Sequence, residues 1–485
     1  MKTTNLITTR INDERVEIKG EHAFMTLGNY LRNEESLTGT KIVCAEGDCG
    51  ACTVLLAKDV GADGKLEFKA VNSCILPLYL IDGAQVVTVE GIGKTSGMNI
   101  DLHEVQQKMI DKNGAQCGYC TPGFICAMAG AVEKIKSCGE TVTEKKAKNF
   151  LTGNLCRCTG YQPIIDAMTS VDLNKVELLK DRYHDSSWTS EMKTLKSQTV
   201  EMKFTDKSIF LPATLDEALK KKSETPNVRM IAGSTDIGVV VNKGKLETPE
   251  TMALYHIKEL GVVSHDDKFI TVGATATLTQ FEEYVESHFP EMSRMLHIFA
   301  SPQIKNQGTV VGNMVNASPI ADTIPFLMVS DAIVVLQSVK GTREVRLPDF
   351  YLGYKKLDLK TDEIVTKIKI PVLEKNEKTR LYKVSMRKDL DISAVTFAAR
   401  VAFDGKKMKS VKLALGGVAA TVLRLSDIEK ILTGQDFSEK VFHDAAGTLD
   451  QYIKPLSDLR ASKEYRMLVA GNYFKKFAKE VGGEL

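Results

Sequence analysis

Ten cysteines lie between Cys44 and Cys158, and none occurs in the remaining two thirds of the chain. Four of them, Cys44, Cys49, Cys52 and Cys74, follow C-x4-C-x2-C with the last ligand 22 residues on, the spacing of a plant-type 2Fe–2S site. Gly47 and Gly50 allow that loop to wrap closely and to turn backbone N–H groups toward sulfur, which raises a cluster's reduction potential. Zinc is the competing reading, but zinc knuckles pair two C-x2-C units and here the fourth cysteine stands alone. Cys117 and Cys120, with Cys156 and Cys158, supply four more thiolates in C-x2-C and C-x-C halves, enough for a second 2Fe–2S cluster. Cys126 sits among apolar neighbours and reads as a buried inert thiol, and Cys138 as a surface or loop thiol.

A second kind of chemistry is suggested further along. In MIAGSTDIGV an apolar strand runs into a turn bearing Gly233, Ser234 and Thr235, followed by Asp236. Clustered N–H groups and short hydroxyls in such a turn suit a pyrophosphate, although the pattern is not G-x-G-x-x-G. GTVVGNMVNASPIADTIP then places tight turns at Gly312-Asn313 and Ser318-Pro319 ahead of Asp322. GIGKTSG, from Gly91 to Gly97, imitates a phosphate loop, but Thr88 stands where the first glycine belongs, so it reads as a hinge.

These residues need several elements to hold them. With 485 residues, 43% of them hydrophobic, the chain can build three or four domain cores. Lys plus Arg (64) nearly cancels Asp plus Glu (62), which gives no field to draw nucleic acid or an anionic membrane. No charge-free apolar run approaches 18 residues and the N-terminus lacks a signal-peptide core, so a soluble, cytoplasmic protein with reduced thiols is expected. Residues 1–92 read as a β-rich module around one helix-like stretch, FMTLGNYLRNE. Residues 93–172 read as helical: one pattern ends on Gly114, and another opens at Pro122. The polar stretch 173–200 reads as a surface linker, 201–374 as an α+β domain, and 375–485 as a smaller C-terminal domain.

CAEGDCGACTV, VNSC, QCGYCTPGF and NLCRCTGYQPI, in this order, resemble the paired iron–sulfur modules of the molybdenum hydroxylases, the family of xanthine dehydrogenases and aldehyde oxidases. The resemblance implies a multidomain α+β chain: a β-grasp ferredoxin-like domain, a four-helix 2Fe–2S domain, an FAD-binding domain of the vanillyl-alcohol oxidase type, and a C-terminal α+β domain as in carbon monoxide dehydrogenase flavoproteins. It implies that the cluster held by Cys117, Cys120, Cys156 and Cys158 lies nearest a molybdopterin, with Gln116 touching the pterin across an interface. For FAD it implies that Ile231, Ala232, Gly233, Ser234, Thr235, Asp236 and Ile237 cradle the diphosphate. Thr309, Gly312, Asn313 and Ser318 would hold the cofactor, Asp322 its ribityl or ribose region, and Phe299 would lie against the isoalloxazine. LYKVSMRKDLDISAV adds Lys383, Arg387, Asp389 and Asp391 near the flavin or an NAD+ site, although Leu390 splits the family's consecutive acids. The molybdopterin is expected on a separate large subunit, in a heterotetramer of two small and two large chains. The implied activity is electron transfer from that subunit to NAD+ in purine hydroxylation. Other molybdenum hydroxylases, acting on aldehydes, nicotinate or carbon monoxide, and a molybdenum-free redox sensor stay open.

Overall fold

The computed structural model describes residues 3–96 and 99–484, so Gly97 of the glycine-rich hinge and the first two residues of the N-terminal module lie outside it. The chain divides into two compact units. One comprises Met1–Ala218, Asn227–Ile257 and Ser301–Gly308, the other Leu219–Pro226, Lys258–Ala300 and Thr309–Leu485. The expected flavin domain, 201–374, is thus shared between them.

In the first unit, a five-stranded mixed sheet packs against the helix Leu27–Asn33. Its strand Thr53–Ala57 is buried at every position because the two faces serve different cores. Val54 and Leu56 join Leu27, Leu31 and Ile81 on one side, while Leu55 and Ala57 join Phe124, Met128 and Val132 on the other. The predicted β-rich and helical modules are therefore joined through one strand.

Four helices follow: Glu104–Asp111, Thr121–Ser137, Glu144–Leu151 and Gln162–Thr169. Each start has a local cause. His103 and Gln106 form a reciprocal capping box on the first, Pro122 occupies the first turn of the second, and the Thr143 hydroxyl accepts from Lys146 N–H on the third. Gly114 comes three residues after the first of these helices, as its pattern predicts.

The stretch read as a surface linker is folded. It contains the helices Leu179–Arg182 and Ser186–Lys196, and Trp188 within the latter is completely buried with Met192 in the core under the helix Thr121–Ser137. Asp185 caps that helix, accepting from the N–H groups of Ser187 and Trp188. Glu133 reaches from the long helix to accept the N–H of Leu179, and burial pushes its carboxyl up to about 7. A single buried tryptophan among polar residues has no periodicity to betray it, which is why the pattern reads as a linker.

A second sheet in this unit pairs Thr3–Thr4 in parallel with Thr199–Phe204 and continues through Lys207–Leu211 and Glu250–Ala253 to Arg229–Ile231. Arg229–Ile231 delivers the Gly233 turn, and the helix Ile237–Asn242 leaves it.

Besides a short ribbon of Tyr351–Gly353 with Lys356–Leu357, the second unit has two larger sheets among the described residues. One is antiparallel, in the order Val263–His265, Phe269–Gly273, Ile364–Pro371, Ile333–Ser338, Gly341–Arg346. The other runs Glu377–Ser385, Ser393–Asp404, Lys407–Gly416, Leu423–Arg424. Val395, Phe397, Ala399, Val401 and Phe403 alternate onto the core formed with the helix Lys463–Gly482. Among the described residues, no helix is long and apolar enough to cross a membrane.

Candidate iron–sulfur and flavin site

The loop from Cys44 to Cys52 follows the helix Leu27–Asn33 and leads into the strand Thr53–Ala57, and Cys74 comes from the turn after Lys69–Asn72. The thiols meet in a chain: Cys44 bonds to Cys49 and to Cys74, and Cys74 bonds to Cys52. Those contacts hold the Cys44 thiol below its ordinary range and push those of Cys49 and Cys74 above it. Gly50 (φ +68°) is required here, because a Cβ would stand 2.2 Å from the Gly153 carbonyl oxygen. Ile75, Ile42, Val239 and Ile304 wall the buried Cys52 and Cys74 from water.

The second set brings its two halves together crosswise. Cys120 bonds to Cys156, and Cys117 to Cys158, so each pair takes one cysteine from each motif. Burial and then Cys156 push the Cys120 thiol up to about 12. Cys117 and Cys158 are exposed, as are Gln116, Tyr119 and Leu155 around them. Among the described residues no three metal-binding side chains converge on one point, which a single-ion site would need. A binuclear cluster asks instead for two thiolates on each iron, and both donor sets fit it. Cys126 is buried with its thiol raised by desolvation, and Cys138 is exposed at its helix end, as read from sequence.

The two thiol loops touch directly: Leu155 N–H donates to the Cys49 carbonyl at 3.0 Å. Asn154 and Gln303 brace that junction. Asn154 Nδ2 donates to the Gly50 carbonyl at 2.9 Å, and Gln303 Nε2 donates to Asn154 Oδ1 at 2.7 Å. Asn242 Nδ2 donates to the carbonyls of both Ala45 (2.9 Å) and Cys74 (2.8 Å), tying the first thiol loop to the helix that leaves the Gly233 turn. None of these amides was a candidate from sequence, since an isolated Asn or Gln carries no pattern.

In the same turn Gly233 packs so tightly that a Cβ would lie 2.1 Å from the Gln307 carbonyl oxygen. Gln307 Nε2 donates to the Gly233 carbonyl at 2.7 Å, and Ser234 takes φ +61°. The Ser234 hydroxyl is buried without a protein partner, an orphan that a phosphate oxygen would satisfy. Thr235 and Ile237 are half-buried and Asp236 is exposed.

The second unit holds the remaining flavin candidates. Thr309 caps the helix Val310–Val315 by accepting from Gly312 N–H, Asn313 accepts from the Thr323 hydroxyl at 2.6 Å, and Ser318 lies in the turn before Asp322. Asp322 is buried with both oxygens engaged, accepting from Lys383 Nζ at 2.6 Å and Ser393 Oγ at 2.5 Å. Burial raises its carboxyl against the pull of Lys383. Lys383 Nζ also stands 6.0 Å from the Phe299 ring centre. Arg387 and Asp391 pair with each other at 3.4 Å, and Asp389 lies in the loop between them. Ser393 lies within the LYKVSMRKDLDISAV segment but was not itself a candidate from sequence. Lys94, in the rejected phosphate-loop imitation, is committed to Glu177 at 2.7 Å.

Residues 88–169 match a [2Fe–2S] binding domain, 202–373 the FAD binding domain in molybdopterin dehydrogenase, and 380–481 the carbon monoxide dehydrogenase flavoprotein C-terminal domain. The chain carries the iron–sulfur and flavin domains of the molybdenum hydroxylase family. Xanthine dehydrogenase/oxidase of Gallus gallus is 30% identical over 96% of this chain and 39% of its own length. Xanthine dehydrogenase of Dictyostelium discoideum is 29% identical over 100% of this chain and 41% of its own. The chain thus spans about two fifths of the curated relatives it matches. Among solved structures, carbon monoxide dehydrogenase from Hydrogenophaga pseudoflava aligns at TM-score 0.53 and 22% identity, over 55% of this chain and 94% of that one. Quinoline 2-oxidoreductase from Pseudomonas putida 86 aligns at 0.51 and 23%, over 56% and 94%. These likenesses show that the aligned part of the chain shares the fold of those two structures.

Proposed function

We propose that the chain is the electron-transfer subunit of a cytoplasmic xanthine dehydrogenase. A larger molybdopterin-binding partner oxidises hypoxanthine and xanthine to urate, two copies of each chain assemble, and this subunit passes the electrons to NAD+. The observation that carries this reading is that one compact unit holds both thiol sets and the Gly233 turn, with the two thiol loops joined by Leu155 N–H and the Cys49 carbonyl. Relatives named xanthine dehydrogenase that align with nearly the whole chain support it.

Cys117, Cys120, Cys156 and Cys158 would hold one 2Fe–2S cluster, and Cys44, Cys49, Cys52 and Cys74 the other. Bound there, the clusters would supply one-electron transfer, and FAD would supply the exchange between single electrons and the hydride that NAD+ accepts. This chain's residues fix the order. The exposed rim of Cys117, Cys158 and Gln116 meets the partner, while Cys52 and Cys74 of the first set are walled from water by Ile42, Ile75 and Ile304. The turn Ile231–Ile237 would bind the FAD diphosphate through its N–H groups and the Ser234 hydroxyl. Thr309, Gly312, Asn313, Ser318, Phe299, Asp322, Lys383 and Asp389 would orient the rest.

Purification from the native host tests this. The expected result is about four irons and about one FAD per chain, molybdenum on a co-purifying larger chain, and NADH formed when xanthine is added. Cys120→Ser should stop xanthine-driven flavin bleaching while NADH-driven bleaching persists. Iron and FAD with no molybdenum and no large partner would contradict the reading.

A further inference from the structure

The loop that carries Cys156 closes on itself through hydrogen bonds that no cluster ligand requires. Cys156 N–H donates to the Tyr161 hydroxyl at 3.1 Å, and Tyr161 N–H donates to Thr159 Oγ1 at 3.2 Å. Thr159 then returns to the thiol twice: its N–H points at Cys156 Sγ from 3.5 Å, and its hydroxyl oxygen lies 3.1 Å from the same sulfur. Because Thr159 Oγ1 already accepts from Tyr161, its own proton is left to donate, and the sulfur is the acceptor beside it. Tyr161 takes φ +70° to complete the ring, a strained conformation for a residue with a Cβ.

We infer that Thr159 is a positioning residue that sets the reduction potential of the cluster at Cys117, Cys120, Cys156 and Cys158, its hydroxyl and N–H both donating to the Cys156 thiolate. This rests on the reading of those four cysteines as cluster ligands. Reduction adds one negative charge to the cluster and makes its sulfur a stronger acceptor, so a donor at the thiolate stabilises the reduced form more than the oxidised one. In the first set Cys44 accepts from the Glu46 N–H at 3.4 Å and Cys52 faces the Asn72 side-chain carbonyl oxygen, and neither of these contacts is a hydroxyl. The hydroxyl is thus an added donor at the second cluster, and it raises the potential of that cluster at the exposed face where electrons arrive.

The test is a dithionite redox titration of the holoenzyme followed by electron paramagnetic resonance, which reads each reduced cluster separately. In Thr159→Val the midpoint of one signal should move to lower potential while the other stays fixed, and Thr159→Ser should restore it. Tyr161→Phe, which leaves both Thr159 donors in place, should keep the wild-type midpoint. If Thr159→Val fails to load iron, Thr159→Ala removes the hydroxyl without adding a methyl group. Unmoved midpoints in a fully loaded Val or Ala variant, or a Ser variant shifted as far as Val, would overturn the inference. A wild-type holoenzyme with only one signal would overturn the two-cluster reading itself, which is a different result.

Discussion

Asp322 and Lys383 form an ion pair whose side chains are 4% and 2% exposed, and breaking it from one side should be costly. Asp322→Asn leaves the Lys383 ammonium buried, with only a neutral amide and the Phe299 face at 6.0 Å for company. Stranding a buried charge costs about 3–5 kcal/mol. For a unit of this size each kcal/mol lowers Tm by about 2–4 °C, so the variant should melt roughly 10 °C earlier. Lys383→Met strands the carboxylate instead, with Ser393 as its remaining donor. The double variant Asp322→Asn/Lys383→Met removes both charges and should recover most of the loss, giving a coupling of about 3 kcal/mol in the cycle. The pH dependence follows from burial, which raises the Asp322 carboxyl above its unfolded value. Its stabilising contribution is complete below the unfolded pKa and is lost as pH rises through the folded one, and in Lys383→Met that loss should extend to higher pH. Thermal unfolding of the FAD-free chain at several pH values measures all of this. Asp322→Asn within 1 kcal/mol of wild type, or a double variant no better than the worse single, would refute the reasoning. Flavin content of the same variants tests the role proposed for Asp322 in holding FAD.

Asp82 and His256 are buried 3.3 Å apart, the acid raised to about 7 and the imidazole lowered to about 3, both by desolvation. Stability should fall with pH from about 3.8 to 7 through Asp82 and rise from about 3 to 6.5 through His256, so the slopes cancel over most of that span. Asp82→Asn should expose the His256 rise, read as the denaturant midpoint against pH. Gly50→Ala pushes a methyl group toward the Gly153 carbonyl oxygen at a positive φ, and should lower iron content in both clusters because it parts the two thiol loops. Iron retained in full would count against that junction. Trp188→Ala should destabilise the first unit by about 3–5 kcal/mol, measurable by urea unfolding, whereas a true surface linker would tolerate it.

Eight candidate thiol ligands could be named from sequence because metal chemistry demands particular residue types at short, fixed spacings, and Cys44-x4-Cys49-x2-Cys52 satisfies that demand locally. Two of the helices after Gly93 were legible because their stop and start signals act within one turn: Gly114 beyond the first and Pro122 at the start of the next. The buried fate of Cys126 followed from its apolar neighbours. Which thiol meets which was not legible, since Cys117 finds Cys158 and Cys120 finds Cys156 only once two helices have packed. The segment 173–200 misled for a related reason: Trp188 is buried in a core that reaches back to Leu55, Phe124 and Met128, and its adjacent residues in sequence are polar. Asn154, Asn242, Gln303 and Ser393 belong to the same class. An amide or hydroxyl acquires its role from the carbonyl, carboxylate or sulfur that the fold brings within about 3 Å, and that partner lies far along the chain. Sequence determined the chemistry of the donors, because that is a property of residue type and local spacing. Tertiary structure decided their partners, burial and proton affinities, because these depend on distances that only the packed chain defines.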